Sequence, residues 1–177
     1  MRRPYQILYP LLSLFLVRVD LTDLYPMEME VEVVKILDGD TVSIQRGSFR
    51  HNVRLSKIDT PEKGQPFLLG SGDAGESSKK CLEKLLAKKG RLTIFGIDIY
   101  GRILGDIDRV TFKMIQMGCA PLYPHSRFSS FHEKFLYLRA YFKARRERRG
   151  LWSKGGIQQP KKYRKSMKFR RRVSHQQ

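Results

Sequence analysis

The chain has few of the residues that would build a metal cluster or a disulfide scaffold. It has only two cysteines in 177 residues, Cys81 and Cys119, with no metal-ligand spacing between them. That excludes a cysteine-rich framework, and no disulfide needs to be assumed. Cys81 falls at helical spacing with Ser78, Leu82 and Leu85 and reads as a small core residue, and Cys119, after Gly118 in an apolar stretch, reads the same way. The four histidines, His51, His125, His132 and His175, are scattered singly, which argues against a zinc site. Long hydrophobic runs are scarce: the longest extends from Ile7 to Val17, interrupted by Pro10, and is short for a bilayer span. Acidic residues almost vanish toward the C-terminus, where Glu147 stands alone among fifteen Lys and Arg in residues 139–177. No internal repeat is visible.

What the chain does have is positive charge, with a formal net of +18 and an apolar fraction of 41%. The apolar fraction suffices for a core, and the length allows one domain with extensions. The charge is uneven: residues 1–138 hold twenty Lys/Arg against sixteen acids, so the excess sits on the last helix and the tail. A polyanion is the expected partner, nucleic acid first and an anionic membrane surface second. At the other end, Arg2 and Arg3 precede the apolar run, and residues 1–28 read as a signal or anchor, or as an extension upstream of an internal start at Met27 or Met29. Membrane association through residues 5–18 follows from the first reading, with a secreted or anchored location; the second reading implies the cytoplasm.

Beyond Met29 the patterning is regular. Met29, Val31 and Val33 alternate with acids, and the chain then runs largely apolar through Val34 to Leu37, as a strand entering a core does. Asp38-Gly39-Asp40 makes a turn, and Val42 and Ile44 alternate in a second strand. Val53 and Leu55 face one side of a third and Arg54 the other. Residues 64–73 form a loop, Ala74 to Lys89 a helix, and Leu92, Ile94 and Phe95 a fourth strand. Ile103, Gly105 and Ile107 mark the fifth, and helices follow over Thr111 to Met117 and Phe131 to Arg149. This order predicts an α+β fold: a five-stranded Greek-key OB-like barrel with about three flanking helices. The expected domain covers residues 29–153, and residues 154–177 are expected to be a flexible basic tail.

Three short clusters carry the chemistry, each explicable alone as a turn or strand end: Asp38-Gly39-Asp40-Thr41, Asp59-Thr60-Pro61-Glu62 and Tyr100-Gly101-Arg102. Taken together they gain meaning. Asp40 and Asp59 end neighbouring strands, where with the Thr60 carbonyl they offer oxygens to a hard divalent cation. Glu62 is close enough to reach a water beside it. Arg54 and Arg102 supply two guanidinium groups for a phosphodiester whose oxygens gain charge in the transition state.

Residues 29–153 resemble the staphylococcal-nuclease-like, or thermonuclease, family. The likeness runs through I-L-D-G-D-T-V at 36–42, R-L-S-K-I-D-T-P-E at 54–62, D-I-Y-G-R at 98–102, G-Q-P-F at 64–67 and G-L-W-S at 150–153. By that resemblance Asp40, Asp59 and the Thr60 carbonyl bind Ca2+, and Arg54, Glu62 and Arg102 are catalytic. The family's reaction is hydrolysis of the P–O5′ bond of DNA or RNA, leaving 3′-phosphates. Family members also place tyrosines after the second helix to stack on a base, and Tyr123 is the candidate here. A monomer is expected. Two other classes stay open at this point: a non-catalytic nucleic-acid-binding barrel, which has no need of the full set Asp40, Arg54, Asp59, Glu62 and Arg102, and a basic structural protein working through its tail.

Overall fold

A computed structural model describes residues 26–174. The apolar run at 5–18 and most of the 1–28 segment lie outside the described residues, as does His175. Five strands form the barrel: β1 (Met27–Ile36), β2 (Thr41–Arg46), β3 (Phe49–Leu55), β4 (Lys89–Ile97) and β5 (Ile103–Ile107). They close in the order β1-β2-β3-β5-β4, with β4 returning to β1 and every pair antiparallel except β3 with β5. The expected α+β OB-like barrel is therefore present. Closure leaves no sheet edge unpaired.

Alternation decides which side chains enter. In β3, Val53 and Leu55 are fully buried while Arg54 between them is turned outward. Pairing of Thr41 with Arg54 across β2 and β3 then places the start of β2 beside that arginine. In β1 the simple pattern breaks. A register shift between Val33 and Lys35 inserts a bulge, and Val34 and Leu37, expected to enter the core, are instead exposed. The bulge adds a residue on one strand, so the inward face resumes at Ile36, which packs on the core.

Among the described residues four helices flank the barrel: α1 (Ala74–Leu85), α2 (Val110–Gln116), α3 (Phe131–Arg146) and α4 (Pro160–Ser174), with a 3₁₀ turn at Gly150–Lys154. Asp73 caps α1 by accepting from the Glu76 amide, and Ser130 caps α3 by accepting from the Glu133 amide. The main core joins Leu55, Ile58, Leu92 and Ile107 of the barrel side to Leu82 of α1 and Met114 and Ile115 of α2. A second, smaller cluster of Phe67, Ala74 and Leu151, with Ile157 against it, ties the 64–73 loop to the C-terminal segment.

Two further expectations need correction. Cys81 and Cys119 are joined in a disulfide. Their 38-residue separation carries no local signal; α1 and the end of α2 meet only in the folded chain, and the Ser78 hydroxyl on the next turn donates to the Cys119 carbonyl. The tail is also not simply flexible, since Pro160–Ser174 is helical. Pro160 is buried and Tyr163, Arg164 and Met167 are half-buried, a stripe at helical spacing, while Lys161, Lys162, Lys165 and Lys168 are exposed. The loop residue Leu69 donates its amide to the Lys154 carbonyl, and Leu68 donates to Gly156.

Candidate functional site

The turn between β1 and β2 shapes the first carboxylate. Asp38 accepts from the Asp40 amide at 3.0 Å, and the Asp40 carbonyl accepts from the Leu55 amide at 2.7 Å, which fixes the turn against β3. Gly39 has to be glycine: a Cβ there would sit 2.8 Å from Ser78 Cβ and 2.9 Å from Thr60 Oγ1. The close approach of the turn to Thr60 is what brings the first acidic cluster against the second.

Asp40 and Asp59 are each only 4% exposed, yet both are hydrogen-bonded throughout. Arg54 spans them: its Nη1 donates to Asp40 Oδ1 at 2.8 Å and its Nη2 to Asp59 Oδ1 at 3.1 Å. The planar guanidinium fork thereby fixes two carboxylates from different segments on one point. Asp40 Oδ1 also accepts from the Thr41 hydroxyl, and its Oδ2 from the Thr60 amide at 3.2 Å. Burial pushes the Asp40 carboxyl up to about 6, against the opposing pull of Arg54 and with a further push from Asp38. On Arg54, burial acts to lower the guanidinium pKa, but Asp40 and Asp59 together raise it.

The segment carrying Asp59 and Thr60 is pinned on both sides. Lys57 Nζ reaches Glu133 of α3 at 2.7 Å within the rings of Phe95, Phe128 and Tyr137. The Lys57 carbonyl accepts from the Tyr123 amide at 2.8 Å, and the Pro121 carbonyl accepts from the Asp59 amide at 3.3 Å. Tyr123 therefore lies alongside this segment, half-buried, with its ring edge-to-face with His125.

Glu62 is 42% exposed at its side chain and opens the next loop. Its amide donates to Oε1 of Gln65, a fully buried residue whose Nε2 in turn donates to the Gln158 carbonyl at 2.6 Å. Gly75, in the first turn of α1, packs so tightly on this loop that a Cβ would collide with the Glu62 carbonyl. Arg102 is held differently. Asp98 accepts from the Tyr100 and Arg102 amides at 2.8 and 3.0 Å, and from Arg102 Nε and Nη2 at 2.8 Å each. Desolvation opposes ionisation of Asp98, but these bonds outweigh it and hold the carboxyl below its usual range. Arg102 lies two residues before Leu104, the ladder partner of Arg54, so alternation turns it toward the Arg54 side.

Asp40, Arg54, Asp59, Thr60 and Glu62 thus gather in one place, with Arg102 just ahead of β5 on the turn anchored by Asp98. The oxygens of two buried carboxylates and a backbone carbonyl fit a hard cation that keeps part of its water shell. Among the described residues no group of three or more His, Cys, Asp or Glu side chains forms a metal cluster. Reading the sequence alone misses three contributors. Asp98 positions Arg102, and its place four residues earlier was the available signal. Gln65 braces Glu62 from a buried position that nothing in its neighbours announces. Arg164, from α4, donates to both Asp59 and Glu62.

Comparison with known proteins identifies the family of the segment that carries most of these residues. The model of the family described as staphylococcal nuclease homologue matches residues 52–154, which include Arg54, Asp59, Thr60, Glu62, Arg102 and Tyr123 but neither Asp40 nor α4. A micrococcal nuclease from Shigella flexneri is 30% identical over 150 residues, covering 77% of this chain and 81% of the relative. A protein from Haemophilus influenzae named as an uncharacterized endonuclease is 33% identical over 150 residues, covering 81% and 78%. Protein ParB from Escherichia coli is 32% identical over 158 residues, covering 81% and 84%.

Proposed function

Since the chain belongs to the staphylococcal nuclease family and is a phosphodiester hydrolase of that type, we propose that it cleaves DNA or RNA with calcium, at the P–O5′ bond, leaving 3′-phosphates. The observation that carries this reading is the convergence of Asp40 and Asp59 on the single guanidinium of Arg54, with Glu62 three residues beyond Asp59.

In this reading Asp40, Asp59 and the Thr60 carbonyl hold the cation, which when bound supplies positive charge to a phosphate oxygen and to a nearby water. Glu62, braced through Gln65, orients the attacking water and accepts its proton. The water oxygen forms a bond to phosphorus as the P–O5′ bond breaks, and the departing O5′ takes up a proton from solvent to leave a 5′-hydroxyl. Arg54 and Arg102 donate to the phosphate oxygens that gain charge along the way. Each is held by carboxylates beforehand, so little reorganisation is needed at the reacting moment. Tyr123, beside the 57–60 segment, is the group offered to a nucleotide base for stacking. Exposed lysines of α4 supply further phosphate contacts.

End-group analysis tests the bond assignment. Digestion of a defined oligonucleotide should yield 3′-phosphate and 5′-hydroxyl termini, read by mass spectrometry. Products bearing 5′-phosphates would reject the P–O5′ assignment.

A further inference from the structure

Arg164 lies on α4, beyond the segment that the family model matches. Its Nη1 donates to Glu62 Oε1 at 2.6 Å and to Asp59 Oδ1 at 3.3 Å; its Nη2 donates to Asp59 Oδ1 at 3.3 Å and Oδ2 at 3.2 Å. Both oxygens of Asp59 are therefore taken by guanidinium N–H groups, since Arg54 also donates to Oδ1. The contact is built into the fold. Gln65 Nε2 bonds the Gln158 carbonyl, Phe67 bridges to Ile157, and the Tyr163 hydroxyl donates to the Gly64 carbonyl at 3.2 Å. These three contacts run from the loop carrying Glu62 to the chain just before Arg164 and its first helical turn. They also account for the apolar Phe67 in a surface loop, which is buried against the C-terminal segment.

Charge makes the consequence specific. Asp40, Asp59 and Glu62 face two guanidinium groups, Arg54 and Arg164, while Arg102 is matched by Asp98. A cation ligated by Asp59 has to share carboxylate oxygens that already accept from Arg164, and it sets two further positive charges beside that guanidinium. We propose that Arg164 competes with the divalent cation for Asp59, so that α4 straps the site shut in the cation-free protein and is displaced as the cation binds. The proposal rests on the reading of Asp59 as a cation ligand given above. Linkage makes the effect reciprocal: the docked helix weakens cation binding by the same factor as the cation weakens docking.

The test uses the full chain and calcium alone, without substrate. Calcium binding is measured by titration calorimetry for wild type, Arg164→Ala, Arg164→Gln and Asp59→Asn. Hydrogen exchange of the α4 amides is followed with and without saturating calcium. Both Arg164 variants should bind calcium roughly tenfold more tightly than wild type, and calcium should speed exchange in wild-type α4. Equal or weaker binding by the Arg164 variants, with Asp59→Asn still defective, overturns the competition alone. Unchanged α4 exchange at saturation does the same. If neither wild type nor the Arg164 variants bind calcium, or if Asp59→Asn binds it as wild type does, the cation-site reading fails and takes this proposal with it.

Discussion

Replacing Cys81 and Cys119 together by alanine, or reducing the native protein, opens a bridge between residues 38 apart in sequence. Chain entropy for a closed loop of that length gives about 4 kcal/mol at 25 °C, arising mostly from the restricted unfolded ensemble. That is a large share of the roughly 5–15 kcal/mol that holds an ordinary domain together. In a chain of this size it corresponds to a fall in Tm of about 8–16 °C. The bridge also bears on the site, because Cys119 precedes Pro121 and Tyr123, whose backbones hold Asp59 and Lys57. Urea denaturation with and without reductant is the assay. Wild type should lose its advantage in reductant and match the double-alanine variant, whose own midpoint should not respond. If oxidised wild type and the variant unfold at the same urea concentration, the bridge contributes nothing and the entropic argument is refuted.

Other consequences follow from the site. Glu62→Gln should lower kcat by about 10²–10⁴ with the fold intact, since Glu62 is half-exposed and fills no core space; wild-type turnover in a folded variant would remove Glu62 from the mechanism. Asp98→Ala should free Arg102 and lower kcat by up to roughly 10²-fold. In an Arg102→Ala background the same change should cost nothing further, and additive losses would show that Asp98 acts elsewhere. Exchanging Lys161, Lys162, Lys165 and Lys168 for glutamine should raise KM on duplex DNA at low salt and flatten its salt dependence by about 0.9 in logarithmic slope per lost phosphate contact. An unchanged slope would place the phosphate contacts away from α4.

The sequence made the site legible where local rules govern it. Alternation in β3 turned Arg54 out from between Val53 and Leu55, and the turn at 38–40 leads into β2 as expected, whereas Asp59 and Pro61 lie beyond the end of β3 at Leu55 and not at a strand end. What stayed hidden depends on contacts between distant segments. The disulfide arises because α1 packs beside the end of α2, a meeting that neither cysteine's neighbours encode. The bulge in β1 leaves Val34 and Leu37 outside although their hydrophobicity suggests burial, because a shift in strand register does not alter composition. The tail's charge masked its helix, although Pro160 at the first helical position and the spacing of Tyr163 and Met167 were signals of one. Arg164 was one arginine among many until the fold set it against Asp59 and Glu62.

In the proposed reaction, cleavage depends on a calcium ion held by Asp40 and Asp59. Cleavage of a labelled DNA duplex by the purified protein, first with chelator and then with calcium or magnesium restored, tests it most directly. Cleavage should be absent in chelator, recover fully with calcium and poorly with magnesium, because a sparse, irregular oxygen set suits the larger ion, and recover with neither ion in Asp40→Asn or Asp59→Asn. Undiminished cleavage in chelator, or equal rates with magnesium, would contradict it.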